Sequence, residues 1–412
     1  MPFDLDFSPA NGYGADHLPM AVIREAHGVA GRVVTRIDDT VIDLARLAEM
    51  GVDLGFDIAD NSGTHVDVLH ADNLNALLAK GHEAMANLRG RLGEIITNSF
   101  GAKRYVSALR PLATVEFMLP IAIKNYVDFY SSLQHATNLG RLFRPEGDPL
   151  TPNWRHLPIG YHGRSSTVAV SDTPVGRPSG LRLIEGRPVF GPSLRLDIEA
   201  EVGFVIGKDS QLGSRIGTRE FFDYVAGVVL VNDWSARDIQ GFEYQPLGPF
   251  LGKSFLTSIS AWLTPIEALA RARTKPVTQD PIPAEYLLDP DPWSLDIELA
   301  IELNGTVISR PPFASTYWTP GQQLAHQTVN GANVCIGDLF ASGTISGERS
   351  DQFGSLIELT SGGVQPLSLP DQTSRVFLED GDAVTIRASA PSLAGGRLSM
   401  GEVRGIVVGP SQ

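Results

Sequence analysis

The sequence predicts a mainly β, α+β protein of two unequal parts, on three observations. The 412 residues include 42 glycines and 28 prolines, a density that favours many short strands and turns over a helical bundle. Residues 194–205 and 295–303 alternate apolar with mostly acidic residues at the two-residue period of a strand. The length suffices for two domains. We therefore expect a small domain at residues 1–118 and a larger one at residues 119–412.

Composition and charge exclude several functional classes. The formal net charge of −14 argues against nucleic-acid binding, because phosphate contacts require clustered lysine and arginine. No apolar run approaches the length of a membrane span. The single cysteine, Cys335, excludes an internal disulfide and fits a reducing compartment. Since the N-terminus also lacks the pattern of a signal peptide, we expect a cytoplasmic protein.

The N-terminal part shows structural patterns only. Residues 32–44 alternate like short strands with a turn at Asp38-Asp39, and residues 74–96 have helical spacing. The nearest polar group, His65-Val66-Asp67, is typical of a surface. We therefore expect the chemistry to lie in the larger part.

Residues 124–144 form the first dense group of functional side chains. We expect Asp128 to cap a helix over 129–138 that is closed by Leu139-Gly140. His135 would then lie two turns from Asp128, roughly 10 Å along the helix axis. That separation suits a ligand at one end and a base at the other, although a lone histidine is more often structural. Residues 151–166 are expected to be a loop that brings Tyr161 and Arg164 to a pocket.

The alternating segment 194–205 carries three acids. As one strand, it places Asp197, Glu199 and Glu201 on the same face. Like charges two residues apart repel each other unless a cation lies on them, and a divalent metal is the natural cation. The alternative is an ordinary strand with a solvated face. The similar segment 295–303 has no catalytic neighbours, so its acids are expected to face solvent.

The segment 231–255 has the highest density of functional groups. It follows an apolar run at 225–231, which is expected to be a buried strand. Glycine and proline residues fix the path of the backbone between polar and aromatic side chains, which are Asp233, Trp234, Arg237, Asp238, Gln240, Glu243, Tyr244 and Lys253. A polar loop that only meets solvent is the simpler alternative. Farther along, residues 337–355 are expected to be a strand end and a Gly/Ser/Thr loop whose N–H groups can face an anion.

These segments together resemble the fumarylacetoacetase family. The resemblance covers nearly the whole chain and is carried by DFYSSLQHATN, PNWRHLPIGYHGR and NDWSARDIQ…EYQPLGPFLGKSF, with a weaker match at GADHLP in the first domain. It implies a small N-terminal Src-homology-3-like β-barrel, a larger mixed-β domain and a homodimer. It also implies a metal-dependent hydrolase that cleaves a C–C bond of fumarylacetoacetate, a dicarboxylate β-diketone. The products would be fumarate and acetoacetate, in the last step of tyrosine and phenylalanine catabolism.

The resemblance implies a metal site. Its implied ligands are Asp128, Glu199, Glu201 and Asp233, with calcium as the ion usually associated. Magnesium is associated with Asp233, Lys253 and Thr257. Four carboxylates make an oxygen-only ligand set, which suits Ca²⁺, Mg²⁺ or Mn²⁺ rather than Zn²⁺.

The resemblance also implies catalytic roles. His135 would be the general base that activates water, Glu358 its orienting carboxylate, and the metal would stabilise the enolate leaving group. The groups implied around the oxyanion are Arg237, Gln240 and Lys253. The implied substrate contacts are Tyr130, Arg144, Tyr161, Gln240, Tyr244 and Thr344.

Two other function classes stay open at this point. One is a related acylpyruvate hydrolase, decarboxylase or isomerase of the same superfamily, which also uses paired acids on one strand but need not carry a histidine two turns after an aspartate. The other is a calcium-dependent binding module, which explains the acids but leaves His135, Arg237 and Lys253 without a task. The pairing of His135 with Glu358 favours water activation.

Overall fold

The computed structural model describes residues 11–24, 31–57, 68–99 and 103–410. Residues 65–67 lie outside this range. The described N-terminal residues form a four-stranded antiparallel sheet, paired in chain order, with strands Ala21–Ile23, Arg32–Ile37, Thr40–Asp43 and Leu109–Pro111. Its helices are Leu44–Glu49, Asn75–Leu78 and Gly81–Ser99, with 3₁₀ turns at Lys103–Ala108 and Leu112–Thr114. The expected strands and helix are present, and the helical segment breaks before Gly81, whose φ of 83° favours glycine.

An eight-stranded mixed sheet, here called the central sheet, lies at the middle of the larger part. Its strands are Tyr126–Phe129, Gly160–Gly163, Val168–Val170, Ala200–Ile206, Val225–Asp233, Thr257–Ile259, Thr264–Pro265 and Leu339–Ala341. Buried side chains on one face, among them Val205, Val229 and Val231, belong to the same apolar core as the N-terminal part. The two parts therefore share a core across the central sheet.

A second, five-stranded sheet contributes buried side chains to the other large apolar core. Its strands are Val175–Gly176, Glu298–Leu303, Thr306–Ser309, Ala383–Pro391 and Arg397–Val408. Four two-stranded pairs complete the strands, namely Ser179–Ile184 with Arg187–Pro192, Leu196–Asp197 with Ser235–Ala236, Arg273–Thr274 with Ser294–Leu295, and Leu367–Ser368 with Ser374–Arg375. This architecture confirms the predicted mainly β fold.

Five α-helices and six 3₁₀ turns connect the described strands of the larger part. The helices are Leu133–Phe143, Phe221–Tyr224, Arg237–Glu243, Pro320–Thr328 and Leu356–Leu359. The 3₁₀ turns are Ser165–Thr167, Thr218–Glu220, Ile266–Ala272, Glu285–Leu287, Phe313–Ser315 and Ser350–Gln352. Within the described part of the chain, none of the helices combines the length and apolar character needed to cross a bilayer.

The expected helix cap at Asp128 is wrong. Asp128 lies in a strand of the central sheet, where its backbone pairs with neighbours on both sides. The helix begins after Ser132, whose hydroxyl accepts a hydrogen bond from the His135 N–H at 3.3 Å. Gly140 does not end the helix, which continues to Phe143. A Cβ at Gly140 would lie 1.8 Å from the Pro149 carbonyl oxygen, so this glycine allows close packing instead.

Two other boundaries also differ from the expectation. The expected loop at 151–166 contains the strand Gly160–Gly163, which carries Tyr161. The expected single strand at 194–205 is split into Leu196–Asp197 and Ala200–Ile206. Both differences arise because pairing with distant strands, which the local sequence pattern does not contain, decides where each strand begins.

Candidate active site

The central sheet brings four carboxylates together. Asp128 lies opposite Tyr161 on the neighbouring strand, and Asp233, the last residue of its strand, lies opposite Thr257. Glu201 is the second residue of the strand that pairs with the Asp233 strand. One oxygen from each carboxylate lies within 4.8 Å of the others, and all four residues are buried, namely Asp128, Glu199, Glu201 and Asp233. The sheet therefore gathers residues that are up to about a hundred positions apart.

The unpaired oxygens of this cluster fit a divalent cation. Asp128 Oδ1 and Glu201 Oε1 are buried and have no hydrogen-bond partner. Burial raises the pKa of Asp128 well above its usual range, and the Asp233 carboxylate raises it further. The pKa of Glu201 is raised in the same way, by burial and then by Asp128. A bound cation would favour the ionised form of both groups, and an all-oxygen ligand set suits Ca²⁺, Mg²⁺ or Mn²⁺.

Lys253 neutralises the other two carboxylates. Its ammonium donates to Glu199 and, at 2.7 Å, to Asp233 Oδ2. Although burial alone would lower the pKa of Lys253, the Asp233 and Glu199 carboxylates raise it above its ordinary value. A protonated ammonium has no lone pair for a metal, so these contacts favour an ion pair over ligation for Lys253. Thr257 donates to Asp233 Oδ1 at 2.7 Å.

Asp197 does not join the acidic cluster, although its spacing predicts the same face. Its carboxylate accepts the Arg237 Nε–H at 2.8 Å and the backbone N–H groups of Leu356 and Ile357 at 2.7 and 3.1 Å. The break in the strand after Asp197 separates it from Glu199 and Glu201. Asp197 therefore connects Arg237 to the start of the helix that carries Glu358.

Arg237 lies behind the cluster. Its Nη1 group donates to Glu199 Oε1 at 2.6 Å and to Gln240 Oε1 at 3.1 Å, and its Nη2 group is buried without a partner. The Gln240 amide oxygen thus faces Arg237, which leaves the Gln240 NH₂ group free to donate elsewhere. Gln240 lines the neighbouring cavity, whereas Arg237 does not.

His135 and Glu358 form a buried pair beside the cluster. The His135 Nδ1 atom lies 2.7 Å from Glu358 Oε2, and its Nε2 atom lies 3.8 Å from Glu199 Oε1. Burial would raise the pKa of Glu358, but His135 and the hydrogen bonds from Asn138 and Ser355 lower it below its ordinary value. An ionised Glu358 can only accept a hydrogen bond, so Nδ1 carries the proton and donates it, and Nε2 carries the free lone pair on the side of the acids.

A cavity of about 460 Å³ lies against His135 and against two of the acids, Asp128 and Glu199. Its apolar wall includes Leu139, Trp154 and Ile159. The hydroxyl of Thr344 is buried there without a partner, which is a position for a ligand. The six residues that the family resemblance implies as substrate contacts all line it, namely Tyr130, Arg144, Tyr161, Gln240, Tyr244 and Thr344.

A second cavity, of about 340 Å³, lies on the other side of Lys253. It is lined by Thr257, Arg164 and Asp233, and Tyr161 and Lys253 contact both cavities. Tyr161 donates to Asp233 Oδ2 at 3.0 Å. Thr257 therefore faces a space separate from the one that His135 lines.

Three residues that contact Glu358 were not predicted as site residues from the sequence. Asn138 Nδ2 donates to Glu358 Oε1 at 3.0 Å, while the hydroxyls of Ser346 and Ser355 lie 2.9 and 2.7 Å from Oε2. The spacing of Asn138, three residues after His135, places both on one helix face and is a signal that the sequence offers. Ser346 and Ser355 lie in a Gly/Ser/Thr-rich loop and have no comparable signal.

Comparison with known proteins gives two family matches. Residues 16–120 match the family described as Fumarylacetoacetase N-terminal, and residues 124–407 match Fumarylacetoacetate (FAA) hydrolase C-terminal. The fumarylacetoacetase of Arabidopsis thaliana is 40% identical over 394 residues, which cover 92% of each chain. The fumarylacetoacetase of Homo sapiens is 39% identical over 405 residues, which cover 95% of each chain.

A solved structure shares the fold at low sequence identity. It is the maleylpyruvate hydrolase from Sphingobium sp. SYK-6, in complex with manganese(II) ion and pyruvate. The TM-score is 0.51 and the identity 15%, with 96% of this chain and 100% of that chain covered.

Proposed function

The chain belongs to the fumarylacetoacetase family, and we propose that it hydrolyses fumarylacetoacetate to fumarate and acetoacetate. The observation that carries this proposal is the position of the His135–Glu358 pair beside four buried carboxylates. Asp128, Glu199, Glu201 and Asp233 would together hold one divalent cation. When bound, such a cation acts as a Lewis acid toward carbonyl oxygens and stabilises the negative charge that develops on them.

His135 activates water in this proposal. Its Nδ1–H is held by Glu358 at 2.7 Å, so Nε2 is free to take a proton from a water molecule in the cavity. The hydroxide adds to the carbonyl carbon that becomes the new carboxyl group of fumarate. As the C–C bond breaks, the electron pair remains on the acetoacetate fragment, which takes a proton that His135 can return. The hydroxyl group of the water thus ends in fumarate, and its proton ends in acetoacetate.

Lys253 and Gln240 stabilise the oxyanion. Both line the cavity, and the Gln240 amide is oriented by the Arg237 contact to its oxygen. N–H groups fixed in this way favour the charge of the transition state, and the loss of one such donor commonly costs about 10²–10³ in rate. Arg237 acts through Gln240 and Glu199 and does not contact the substrate in this account.

Arg144 binds a substrate carboxylate. Its guanidinium donates to the backbone carbonyls of Asp148 and Pro149 at 3.4 and 2.5 Å, which fixes its position at the cavity. Arginine pairs well with carboxylates because its N–H groups match their geometry. Tyr130, Tyr161, Tyr244 and Thr344 supply further hydroxyl groups in the same cavity.

We also propose a wider assignment, which the family membership supports. We include calcium or magnesium as the ion, with manganese as a third candidate, a homodimer, and a cytoplasmic location. We also propose a domain boundary that separates residues 1–118 from 119–412, which is supported by the family matches over 16–120 and 124–407. Thr257 and Asp233 at the second cavity are a candidate magnesium position.

Product analysis tests this function. With fumarylacetoacetate and a divalent cation, the protein should form fumarate and acetoacetate in equal amounts, because water adds across one C–C bond. Chromatography of the products at several times measures both. Release of CO₂ without fumarate would instead favour a decarboxylase, and an isomer of the substrate would favour an isomerase. Turnover of an acylpyruvate alone would make a related hydrolase the better assignment.

A further inference from the structure

The Glu358 carboxylate has an unusual set of partners. Besides His135, it accepts three hydrogen bonds, one from an amide and two from hydroxyls, and all three donors are neutral. Among the described residues, no lysine or arginine lies within ion-pair distance of Glu358. Its side chain is 0% exposed. Hydrogen bonds from neutral donors favour the ionised form of a buried carboxylate without neutralising the charge that it presents to the histidine.

The direction of the Ser346 hydrogen bond is fixed by its surroundings. Ser346 Oγ accepts the Gly354 N–H at 3.0 Å, which leaves its hydroxyl proton for Glu358 Oε2. The Ser346 carbonyl accepts a hydrogen bond from Ser132 at 3.1 Å, and Ser132 caps the helix that carries His135. Ser346 is therefore hydrogen-bonded both to Glu358 and to the residue that caps the His135 helix.

Asn138 and Ser355 hold the carboxylate from two sides. Asn138 follows His135 by one helical turn and donates to Oε1, the oxygen that His135 does not contact. Ser355 precedes the Glu358 helix and donates to Oε2 instead of capping that helix with its side chain. With both oxygens engaged, the carboxylate plane cannot rotate away from His135 without losing a hydrogen bond.

We propose that Asn138, Ser346 and Ser355 are positioning residues that keep Glu358 ionised and directed at His135 Nδ1. They thereby select the imidazole tautomer whose Nε2 lone pair faces the cavity. This inference rests on the proposed function, because it assigns these residues to the same water-activating step. None of the three lines the substrate cavity, so they act on the rate of the reaction and not on substrate binding.

Kinetics of two variants test the proposal. Asn138→Leu removes the donor at similar size, and Ser355→Ala removes a hydroxyl; each should lower kcat about 10- to 100-fold with KM nearly unchanged. Ser294→Ala is the matched control for the serine variant, because Ser294 is a buried serine whose hydroxyl has no partner. In a Glu358→Gln background, Asn138→Leu should add little, since it acts through the Glu358 carboxylate. Unchanged kcat in both Asn138→Leu and Ser355→Ala would overturn the proposal. So would a Glu358→Gln, Asn138→Leu double variant in which each substitution lowers kcat by its full separate factor.

A second measurement does not depend on turnover. In protein labelled with ¹⁵N-histidine, the His135 resonances, assigned by their loss in His135→Gln, report which ring nitrogen carries the proton. We expect a protonated Nδ1 and a free Nε2 in the unsubstituted protein, and a mixed or reversed tautomer in Asn138→Leu combined with Ser355→Ala. If the unsubstituted protein does not hydrolyse fumarylacetoacetate, the proposed function fails, and the ¹⁵N result alone decides on the positioning role. An unchanged tautomer would then overturn it.

Discussion

Replacing His135 by glutamine should lower kcat about 10²- to 10⁴-fold, the usual cost of losing a general base. Glutamine has a similar length and forms hydrogen bonds, but it cannot take a proton from water near neutral pH. The contact of Nδ1 with Glu358 at 2.7 Å and the position of His135 on the cavity wall are the reasons for this expectation. Steady-state kinetics with fumarylacetoacetate measure the effect.

The same variant should remain folded and bind both the cation and a product-like carboxylate. His135 is not among the four cluster residues, so cation affinity measured by calorimetry should change little. Glu358→Gln should show a milder loss of kcat, because it removes only the charge that orients and stabilises the imidazolium. Near-normal kcat in His135→Gln, or loss of the cation by a folded protein, would contradict the assignment. Lys253, which also lines the cavity, would then be the next candidate for the proton transfer.

Removal of divalent cations should abolish turnover and lower the melting temperature. Without a cation, the cluster leaves Asp128 Oδ1 and Glu201 Oε1 buried and unpaired, which disfavours the folded state. A ligand that binds only the folded protein adds about 2.7 kcal/mol of stability at a concentration 100 times its Kd. Activity and thermal unfolding, before and after chelation and after return of Ca²⁺, Mg²⁺ or Mn²⁺, measure both effects.

Glu201→Gln provides the matched variant for this experiment. It keeps the size of the side chain but removes one negative charge and one ionic ligand from the cluster. Its melting temperature should respond far less to the chelator than that of the unsubstituted protein, because little cation is bound. A chelated protein that retains full activity would show that the acids do not hold a catalytic ion.

The alternating sequence pattern identified two members of the acidic cluster and wrongly added a third residue. The alternation correctly indicated that Glu199 and Glu201 lie together, although only Glu201 belongs to the strand Ala200–Ile206 and Glu199 directly precedes it. The same alternation wrongly included Asp197, because the strand is interrupted after that residue. Asp128 joins the cluster through pairing with strands more than thirty residues away in sequence, which no local pattern contains. Helical spacing suggested Asp128 as a ligand for the wrong reason, and the resemblance to a family grouped it with the other three acids.

The surroundings of His135 show the same limit. Asp128 is a good helix-capping residue type, and from the sequence we expect it to cap the helix. Strand pairing places Asp128 in the central sheet, so Ser132 takes the cap. His135 and Asp128 are therefore not separated by two turns of one helix, although both residues line the same cavity. The helical spacing from His135 could have predicted Asn138, whereas no sequence pattern predicts Ser346.

The most direct test of the account is hydrolysis in H₂¹⁸O. The account predicts that water adds to the carbonyl carbon that becomes a fumarate carboxylate, so fumarate should carry one ¹⁸O atom per turnover, measured by mass spectrometry. Incorporation should slow in His135→Gln in proportion to kcat. Fumarate without ¹⁸O, or label that enters at the same rate in His135→Gln, would contradict water activation by His135.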